Sequence, residues 1–479
     1  MPIELSGDAT NARVMVEDDA LVEESALEQI QELIDHPAFT EPVRVMPDTH
    51  WGAGAPIGFT MPLADRVVPN IVGVDVGCGM AATKLGDTLP LEHTERERLV
   101  REAVPMGRSV HDYDDAVHFV EEFPFERANR VFEQFESAYR ERFGRPIDPL
   151  EFDFDGFDGA YFEALCNRVL AGRTGMGHVI RSAGTLGGGN HFVEFARARE
   201  TGAYWLVIHS GSRYLGKAIA EYWQNRATNK RTADAIREAL PAEYAEYLKF
   251  DPAAVSDADL HAWVTGGMGE SHLRKDRIRE DFEGDAIDTV FEALADPRPD
   301  ERNEDLDWLE GREAHGYYVD MLFAQQYARW NRELMSEAIC DALGVEPVEQ
   351  FQSIHNYIDF RDLTIRKGAT PARAGQRLVI PFNMAEGSIL ARGKGNEAYH
   401  RTAPHGAGRV MSRREAHESL SLEVFREAMD DVYSESVVDE VLDEAPMAYK
   451  SADAIVDTIE PTAEIIDWLD VVHNLKAKE

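Results

Sequence analysis

The sequence predicts an α+β fold in a single large domain, residues 1–479, with mixed β-sheets surrounded by helices. Short β-type runs lie in residues 1–90 and 181–215 and recur near 377–381, with long acidic helical stretches between them. Candidate metal ligands are spread from residue 48 to residue 409. A shared site would require all of these segments to fold together, which favours one integrated domain.

The first half of the chain alternates between the two kinds of structure. Residues 1–90 combine short strands with glycine turns, and residues 90–180 form a predicted acidic helical insertion. Residues 205–208, Trp-Leu-Val-Ile, have the composition of a buried strand. This strand is expected to place His209 at its end, where functional groups are common.

The second half is predicted to be mostly helical. A second acidic helical insertion covers approximately residues 216–345 and includes a long amphipathic helix between 316 and 339. Residues 377–381 form another predicted strand. The tail after residue 415 is rich in acidic residues and is predicted to be helical.

The chain is strongly acidic, with 88 Asp and Glu residues, 49 Lys and Arg residues and a formal net charge of −39. Only 10 of the basic residues are lysines. This composition predicts a solvated acidic surface suited to a high-salt cytoplasm, with self-repulsion when salt is low. An ordinary acidic protein is the alternative. Taken over the whole chain, the charge argues against a nucleic-acid partner.

Residues 355–414 reverse this charge, since their 11 Lys and Arg residues and four acidic residues give 11 − 4 = +7. A positive segment in a negative chain favours a site for an anion, and a solvated loop is the alternative. His355 and His405 lie in this segment and favour the anion site.

The sequence contains no apolar run long enough to cross a bilayer and no secretion signal at its start, so we expect a cytoplasmic protein with no membrane partner. Its three cysteines do not suggest a disulfide framework. Cys166 and Cys340 have apolar helical neighbours and are expected in the core, whereas Cys78 lies among glycines.

Five short segments place metal-type ligands among glycines or other small residues. They contain Asp75 and Cys78, then Asn190 and His191, then His209, then His355, and finally His405. One thiolate, one carboxylate and several imidazoles suit a divalent transition metal, and a thiolate can bridge two ions. Each segment alone also fits a tight turn or a core residue, but their combination favours a metal centre.

The same segments contain groups that bind or attack phosphate. Asn190 follows three glycines, whose backbone N–H groups can bind a phosphate, and Glu194 is expected to face the same pocket. Arg213 and Arg409 suit phosphate oxygens. His405 has small neighbours, and an accessible imidazole can attack phosphorus to form a covalent intermediate. The sequence therefore suggests metal-assisted phosphoryl or nucleotidyl transfer.

Longer motifs surround these residues and keep their order along nearly the whole chain. They occupy residues 47–52, 56–58, 73–79, 184–192, 208–213, 366–370 and 405–413. In these motifs the sequence resembles the RtcB family of GTP-dependent RNA ligases, as an acidic member of haloarchaeal type. The resemblance implies an RtcB-like domain around a central cleft that holds two metal ions.

The resemblance also implies a role for each matching residue. Asp75, Cys78, His191, His209 and His355 would bind two Mn²⁺ ions, with Cys78 bridging, and His405 would be the nucleophile that accepts GMP from GTP. The residues implied to bind GTP or GMP are Asn190, Glu194, His355, Asn356, Ser388, His405, Gly406, Ala407, Gly408, Tyr449 and Lys476, with Glu194, Tyr449 and Lys476 at the guanine. Arg213, Arg409 and Arg413 would bind RNA or nucleotide phosphates.

The implied reaction joins an RNA 3′-phosphate or 2′,3′-cyclic phosphate end to a 5′-hydroxyl end through GMP on His405. Transfer-RNA splicing and RNA repair are both open as the biological role, and the small activator protein archease is an expected partner. Zinc and cobalt suit the same ligands. Two alternatives remain: a dinuclear metal phosphoesterase acting on RNA or nucleotides, and a non-catalytic RNA-binding protein.

Overall fold

The computed structural model describes residues 2–16, 22–150, 152–170, 175–266, 269–295 and 302–478. The strands are β1 (Ile3–Ser6), β2 (Asn11–Val14), β3 (Val43–Val45), β4 (Phe59–Pro62), β5 (Arg66–Val67), β6 (Gly79–Gly86), β7 (Phe192–Ala198), β8 (Tyr204–Ser210), β9 (Leu309–Glu310), β10 (Glu349–Ile354), β11 (Asn356–Asp359), β12 (Thr364–Lys367), β13 (Ala369–Pro371), β14 (Arg377–Pro381), β15 (Ser388–Gly393), β16 (Thr402–Pro404) and β17 (Ala463–Leu475).

The helices alternate with these strands along the chain. They are α1 (Glu24–Asp35), α2 (Pro69–Val72), α3 (His93–Ala103), α4 (Phe119–Glu122), α5 (Phe125–Phe143), α6 (Gly159–Val169), α7 (Met176–Arg181), α8 (Arg213–Ala239), α9 (Asp257–Thr265), α10 (Lys275–Asp281), α11 (Asp285–Ala295), α12 (Gly311–Leu343), α13 (Arg413–Ser419), α14 (Leu422–Ala428) and α15 (Ala452–Ile459). The predicted α+β class is confirmed.

Two large sheets organise the fold. The first has seven antiparallel strands in the order β10-β6-β8-β7-β17-β15-β14. The second has six strands in the order β1-β2-β3-β4-β12-β11 and is mixed, since β2 and β3 run parallel. The strands predicted at residues 205–208 and 377–381 are β8 and β14.

Helix α12 is the central helix of the fold. It packs against α3, α5, α8, β6 and β8 and is buried on nearly every side between Glu313 and Arg332. The predicted long helix is therefore present, and its predicted inner face is buried at Met321, Ala324, Tyr327 and Ala328, but the face expected to meet solvent is buried as well. Polar side chains that suggest a solvent face are buried with partners instead: Asp320 accepts hydrogen bonds from Tyr161 Oη at 2.7 Å and Trp223 Nε1 at 2.8 Å.

The end of the chain differs from the helical prediction. Three short helices, α13 to α15, are followed by the 13-residue strand β17, which lies between β7 and β15. Its side chains alternate between the two faces, with Leu469 and Val471 buried and Asp470 exposed between them, and β-branched pairs add to its strand preference. Strand β17 directs Asn474 and Lys476 towards the cleft described below.

A separate apolar cluster lies beyond the main core. It joins the end of α8 to α9, α10 and α11 through buried residues between Ala233 and Leu294. This segment therefore packs largely around a core of its own. Among the described residues, no helix is long and apolar enough to cross a membrane.

Candidate active site

Adjacent strands of the seven-stranded sheet bring the predicted metal ligands to one edge. Met80 of β6 pairs with His209 of β8, and His209 pairs in turn with Phe192 of β7. Cys78 lies in the turn just before β6, and His191 immediately precedes β7. The sheet register alone therefore places ligands from three distant segments side by side.

Five potential ligands form two overlapping groups whose ligand atoms lie within 4.8 Å of one another. One group is Cys78, His209 and His355, and the other is Asp75, Cys78 and His191. Cys78 Sγ lies 3.1 Å from His209 Nε2 and 3.6 Å from His191 Nε2. His209 Nε2 lies 3.2 Å from His355 Nε2, and His191 Nε2 lies 2.9 Å from Asp75 Oδ2. Because Cys78 belongs to both groups, the geometry suits two ions that share a thiolate.

Backbone carbonyls orient two of the histidine rings. His191 Nδ1 lies 2.9 Å from Leu186 O, and His209 Nδ1 lies 3.1 Å from Asn190 O. A ring N–H that donates to a carbonyl leaves the opposite nitrogen, Nε2, with its lone pair free for a metal. Both Nε2 atoms face Cys78, so the ring orientation agrees with ligation.

Two buried polar residues of α12 hold the turns that carry the ligands. Arg332 Nη1 donates to Gly77 O at 2.8 Å and to Ser210 O at 2.6 Å. Asn331 Oδ1 accepts from the backbone N–H of Gly184 at 2.8 Å. Burial lowers the pKa of the Arg332 guanidinium to about 10. The burial of α12 thus serves to position the site.

Burial also governs the proton affinities of the ligand cluster. It raises the pKa of the Cys78 thiol well above its usual value and lowers the pKa values of His209 and His355 well below theirs. Burial acts to raise the pKa of Asp75 too, but contact with His191 outweighs it and holds that pKa well below its usual range. Neutral imidazoles and a carboxylate are the forms that bind metal, whereas the thiol must lose its proton on ligation.

His405 lies beside the cluster and is held by Asp48, which the sequence analysis did not assign. His405 Nδ1 lies 2.6 Å from Asp48 Oδ2, and the His405 backbone N–H donates to the same oxygen at 3.1 Å. The rings of His405 and His355 have centroids 4.8 Å apart. An Nδ1–H bonded to a buried carboxylate leaves Nε2 as the nucleophilic nitrogen.

The small residues after His405 allow the close approach of Asp48. Gly408 has a φ of +74°, and a Cβ atom there would lie 2.3 Å from Asp48 O. A larger residue at position 408 would therefore clash with the backbone that carries Asp48. The glycines of this motif are required for packing as well as for access.

A cleft that is partly open to solvent adjoins His405. The expected nucleotide contacts that line it are Asn190, Glu194, His355, Asn356, His405, Gly406, Ala407, Gly408, Tyr449 and Lys476. Ser388 is not among the lining residues; it is buried in β15 and pairs with Pro381. His50, Phe192, Glu444 and Asn474 line the cleft without having been assigned from the sequence.

Glu444 is the centre of a hydrogen-bond network in the cleft wall. Its Oε2 accepts from Lys476 Nζ at 2.9 Å and from Tyr449 Oη at 2.8 Å, and Arg409 Nη1 donates to Tyr449 Oη at 3.1 Å. Glu444 is not predicted from the sequence, because a single glutamate in an acidic tail gives no signal. This network fixes the two expected guanine contacts, Tyr449 and Lys476, relative to each other.

Glu194 is the other carboxylate of the cleft wall. Its Oε2 accepts from Asn474 Nδ2 at 3.0 Å, whereas its Oε1 is buried and has no hydrogen-bond partner in the described part of the chain. Burial raises the pKa of Glu194 to about 8. A buried carboxyl with an unused oxygen at the cleft is suited to accept hydrogen bonds from a ligand.

Of the three arginines expected to bind phosphate, two line the cleft. Arg409 and Arg413 line the cleft, whereas Arg213 does not: its Nε donates to Thr185 Oγ1 at 3.1 Å and its Nη2 donates to Gly107 O at 2.9 Å. Many other basic residues of segment 355–414 are in ion pairs with acidic side chains. These are Arg366 and Arg373 with Asp359, Arg377 with Glu349, Lys394 with Glu460, and Arg401 with Glu397.

Known proteins match nearly the whole chain. A family model described as tRNA-splicing ligase RtcB matches residues 29–257 and 288–477. The RNA-splicing ligase RtcB of Escherichia coli is 27% identical over 95% of this chain and 93% of its own length. The tRNA-splicing ligases RtcB of Nanoarchaeum equitans and Archaeoglobus fulgidus are 26% and 25% identical, each over 92% of this chain and 88% of its own length. Residues 258–287, between the two matched parts, are unmatched, and Leu260, Trp263, Leu273 and Ile278 from this stretch belong to the separate apolar cluster.

Proposed function

The chain belongs to the RtcB family, and on that basis we propose that it is a GTP- and Mn²⁺-dependent RNA ligase. It would join an RNA 3′-phosphate or 2′,3′-cyclic phosphate end to a 5′-hydroxyl end through a guanylylated His405. The observation that carries the proposal is the position of His405: Asp48 holds its ring beside a group of five metal-type ligands, at the wall of an open cleft.

The ligand cluster supports the binding of two manganese ions. Asp75 and His191 would hold one ion, His209 and His355 the other, and Cys78 would contact both. The mixture of oxygen, nitrogen and sulfur donors fits manganese and also zinc. When bound, such ions neutralise the charge that develops on phosphate oxygens. Leu186 O and Asn190 O keep the His191 and His209 rings in position for this role.

The first step would be guanylylation of His405. Its Nε2 attacks the α-phosphorus of GTP, so that an N–P bond forms while the bond to the pyrophosphate breaks. Asp48 keeps the proton on Nδ1 and stabilises the positive charge that the ring acquires. Asn190, which lines the cleft beside His405, is placed to donate to the nucleotide phosphates.

The later steps would transfer GMP and then release it. An oxygen of the RNA 3′-phosphate attacks the GMP phosphorus and the N–P bond to His405 breaks, after water has opened any cyclic phosphate. The RNA 5′-hydroxyl then attacks the activated 3′-phosphorus, loses its proton, and GMP leaves. Arg409 and Arg413, which line the cleft, would bind the RNA phosphate through planar paired N–H donors.

We assign guanine recognition to the wall of the cleft that contains Glu194, Tyr449 and Lys476. Carboxylate oxygens match the N–H donors on one edge of guanine, and an ammonium group matches its carbonyl oxygen. The unpaired Oε1 of Glu194 and the fixed position of Lys476 on Glu444 support this assignment. Adenine offers the opposite pattern of donors and acceptors and would leave these groups unpaired.

The names of the relatives suggest a biological setting for this proposed ligase. The relatives are named for RNA splicing or tRNA splicing, and we propose broken or spliced RNA as the substrate, archease as an activator and a high-salt cytoplasm as the location. We also propose one catalytic domain over residues 1–479, with the segment from the end of α8 to α11 as an addition to its core.

An RNA-joining assay tests this function. A linear RNA with a 5′-hydroxyl and a 3′-phosphate is incubated with the protein, GTP and Mn²⁺ in high KCl, with and without archease. The expected product is a circular RNA whose formation requires GTP and is lost in His405→Ala. Release of free phosphate or cleavage of the RNA without GTP would instead support the alternative, a dinuclear phosphoesterase.

A further inference from the structure

One tryptophan of this protein stands apart from the other six. Trp51 is 56% exposed, whereas Trp205, Trp223, Trp263 and Trp330 are buried and the remaining two are half-buried. No aromatic or cationic side chain packs on the Trp51 ring within the described ranges of the chain. An exposed indole offers a large planar face that is available to stack on a ligand.

The loop that carries Trp51 is held on both sides by hydrogen bonds. Gln29 bonds Gly52 twice, from its Nε2 to Gly52 O at 2.6 Å and from Gly52 N to its Oε1 at 3.3 Å. Lys450 Nζ donates to Thr49 O at 3.0 Å. Asp48 is fixed by His405, as described above. The hydrogen bonds that hold the loop therefore do not involve the indole.

The position of this loop relates the indole to the reacting groups. His50, the residue before Trp51, lines the cleft, and Asp48, three residues before it, binds the nucleophile. Consecutive Cα atoms are about 3.8 Å apart, so the backbone of Trp51 lies directly beside a residue of the cleft wall. A base attached to a phosphate that reacts at His405 would come within reach of this ring.

We propose that Trp51 is a stacking platform for an unpaired nucleobase at the RNA end that enters the cleft. This proposal rests on the proposed ligase function and adds a contact to its RNA site. Aromatic rings stack on any base, because every base has a π-face, so the contact tolerates different sequences. It suits an enzyme that must accept RNA ends of varied sequence.

The acidic charge of the protein favours base stacking over phosphate contacts as a means of binding RNA. The net charge is −39, and the two arginines that line the cleft also bind acidic residues, Arg409 with Glu444 and Arg413 with Asp443. Phosphate contacts are therefore limited and weaken as salt rises. Base stacking carries no net charge, so its contribution should persist in high KCl.

The test compares Trp51→Ala, Trp51→Phe and a matched control, Val348→Ala, which removes apolar surface from a residue that is 64% exposed. We expect Trp51→Ala to raise the KM for RNA by about 5-fold to 150-fold, the range for about 1 to 3 kcal/mol of stacking. Trp51→Phe should recover most of this loss, and Val348→Ala should show none. An RNA KM that is unchanged in Trp51→Ala would overturn the proposal.

Abasic RNA shows whether a base is the partner and which strand supplies it. One arm removes the terminal base of the 3′-phosphate strand, and the other removes the terminal base of the 5′-hydroxyl strand. If the indole stacks on one of them, its removal should weaken wild-type binding and abolish the penalty of Trp51→Ala in that arm. A Trp51→Ala penalty that stays the same in both arms would refute stacking on the RNA end.

A guanylylation assay distinguishes a failure of the stacking proposal from a failure of the proposed ligase function. Labelling of the protein by GTP needs no RNA and should be equal in the wild type, Trp51→Ala and Val348→Ala, which also shows that the variants fold. Loss of labelling in Trp51→Ala would mean that the indole acts on the nucleophile loop, and the stacking proposal would fail. If the wild type is neither labelled nor able to join RNA, the proposed function fails, and direct RNA binding by the same variants still tests the platform.

Discussion

The substitution Asp48→Asn examines the pair that orients the nucleophile. Asp48 is fully buried, and its Oδ2 accepts both from His405 Nδ1 at 2.6 Å and from the His405 backbone N–H at 3.1 Å. Asparagine has the same shape but carries an NH₂ group. If this group faces Nδ1, the imidazole must carry its proton on Nε2, the nitrogen that should attack GTP.

Two contributions set the expected loss of guanylylation rate. A hydrogen bond to a charged group contributes about 1.5 to 3 kcal/mol, which corresponds to about 10-fold to 150-fold in rate. Reversal of the tautomer adds to this, and the equivalent substitution in the serine-protease triad costs about 10⁴-fold. We therefore expect Asp48→Asn to reduce the rate of guanylylation by about 10² to 10⁴-fold.

The assay is single-turnover labelling of the protein with GTP labelled at the α-phosphate, in excess Mn²⁺. Thermal unfolding and manganese binding are measured on the same variant, because Asp48 is not among the ligands and both should be nearly unchanged. A loss smaller than tenfold, with folding and metal binding intact, would refute the assignment of Asp48 as the residue that orients His405.

Four further predictions concern the metal centre, the cleft and the surface. Cys78→Ser should reduce bound manganese from two ions to at most one, as measured by metal analysis. It should also reduce guanylylation by more than about 100-fold, as measured by labelling. Loss of a residue that only hydrogen-bonds to a metal ligand already lowers metal affinity or activity by about 10-fold to 100-fold, and loss of a ligand should cost more. Burial raises the pKa of Glu194 from 4.5 to about 8, so the free energy of unfolding should fall as pH rises between these values, by as much as about 5 kcal/mol. Glu194→Gln should remove this fall, as measured by unfolding experiments at several pH values. Lys476→Ala should weaken GTP binding by about 10-fold to 100-fold and reduce the preference for GTP over ATP, because it removes a donor at the guanine end. Ligation should persist in molar KCl, because an acidic surface is relieved of self-repulsion there.

Each of these predictions has a control and an opposing result. Cys340→Ala removes a buried thiol away from the cluster and should retain two ions; equal metal loss in both variants would contradict the bridging role of Cys78. Stability of Glu194→Gln that falls with pH in parallel with the wild type would contradict the raised pKa. An unchanged GTP preference in Lys476→Ala would remove it from the guanine site. Activity in dilute buffer that is lost in high KCl would contradict a high-salt origin.

The local sequence predicts the site where neighbours along the chain define it. Residues 205–208 have a buried-strand pattern, and β8 does deliver His209 to the ligand cluster. The glycine-rich turns around Cys78 and His191 were recognisable for the same reason, since backbone freedom is a local property. The five candidate ligands, from four distant segments, could thus be anticipated, and their side chains lie close together.

The sequence is less informative where contacts come from distant segments. Asp48 and His405 are separated by 357 positions, and Glu444 meets Lys476 only because β17 crosses the sheet beside β7. Helix α12 appears amphipathic because its polar residues, such as Asp320, look solvent-facing until their buried partners are known. Strand β17 was predicted as helix because its many charges hide an alternation that only sheet pairing reveals.

The central claim is that His405 forms a covalent bond to GMP. The most direct measurement is incubation of the wild type and His405→Ala with GTP labelled at the α-phosphate and Mn²⁺ in high KCl, followed by denaturing electrophoresis. We expect label on the wild type that resists alkali, is released by acid and is absent from His405→Ala. Equal label on both proteins, or none on the wild type even with archease present, would contradict it.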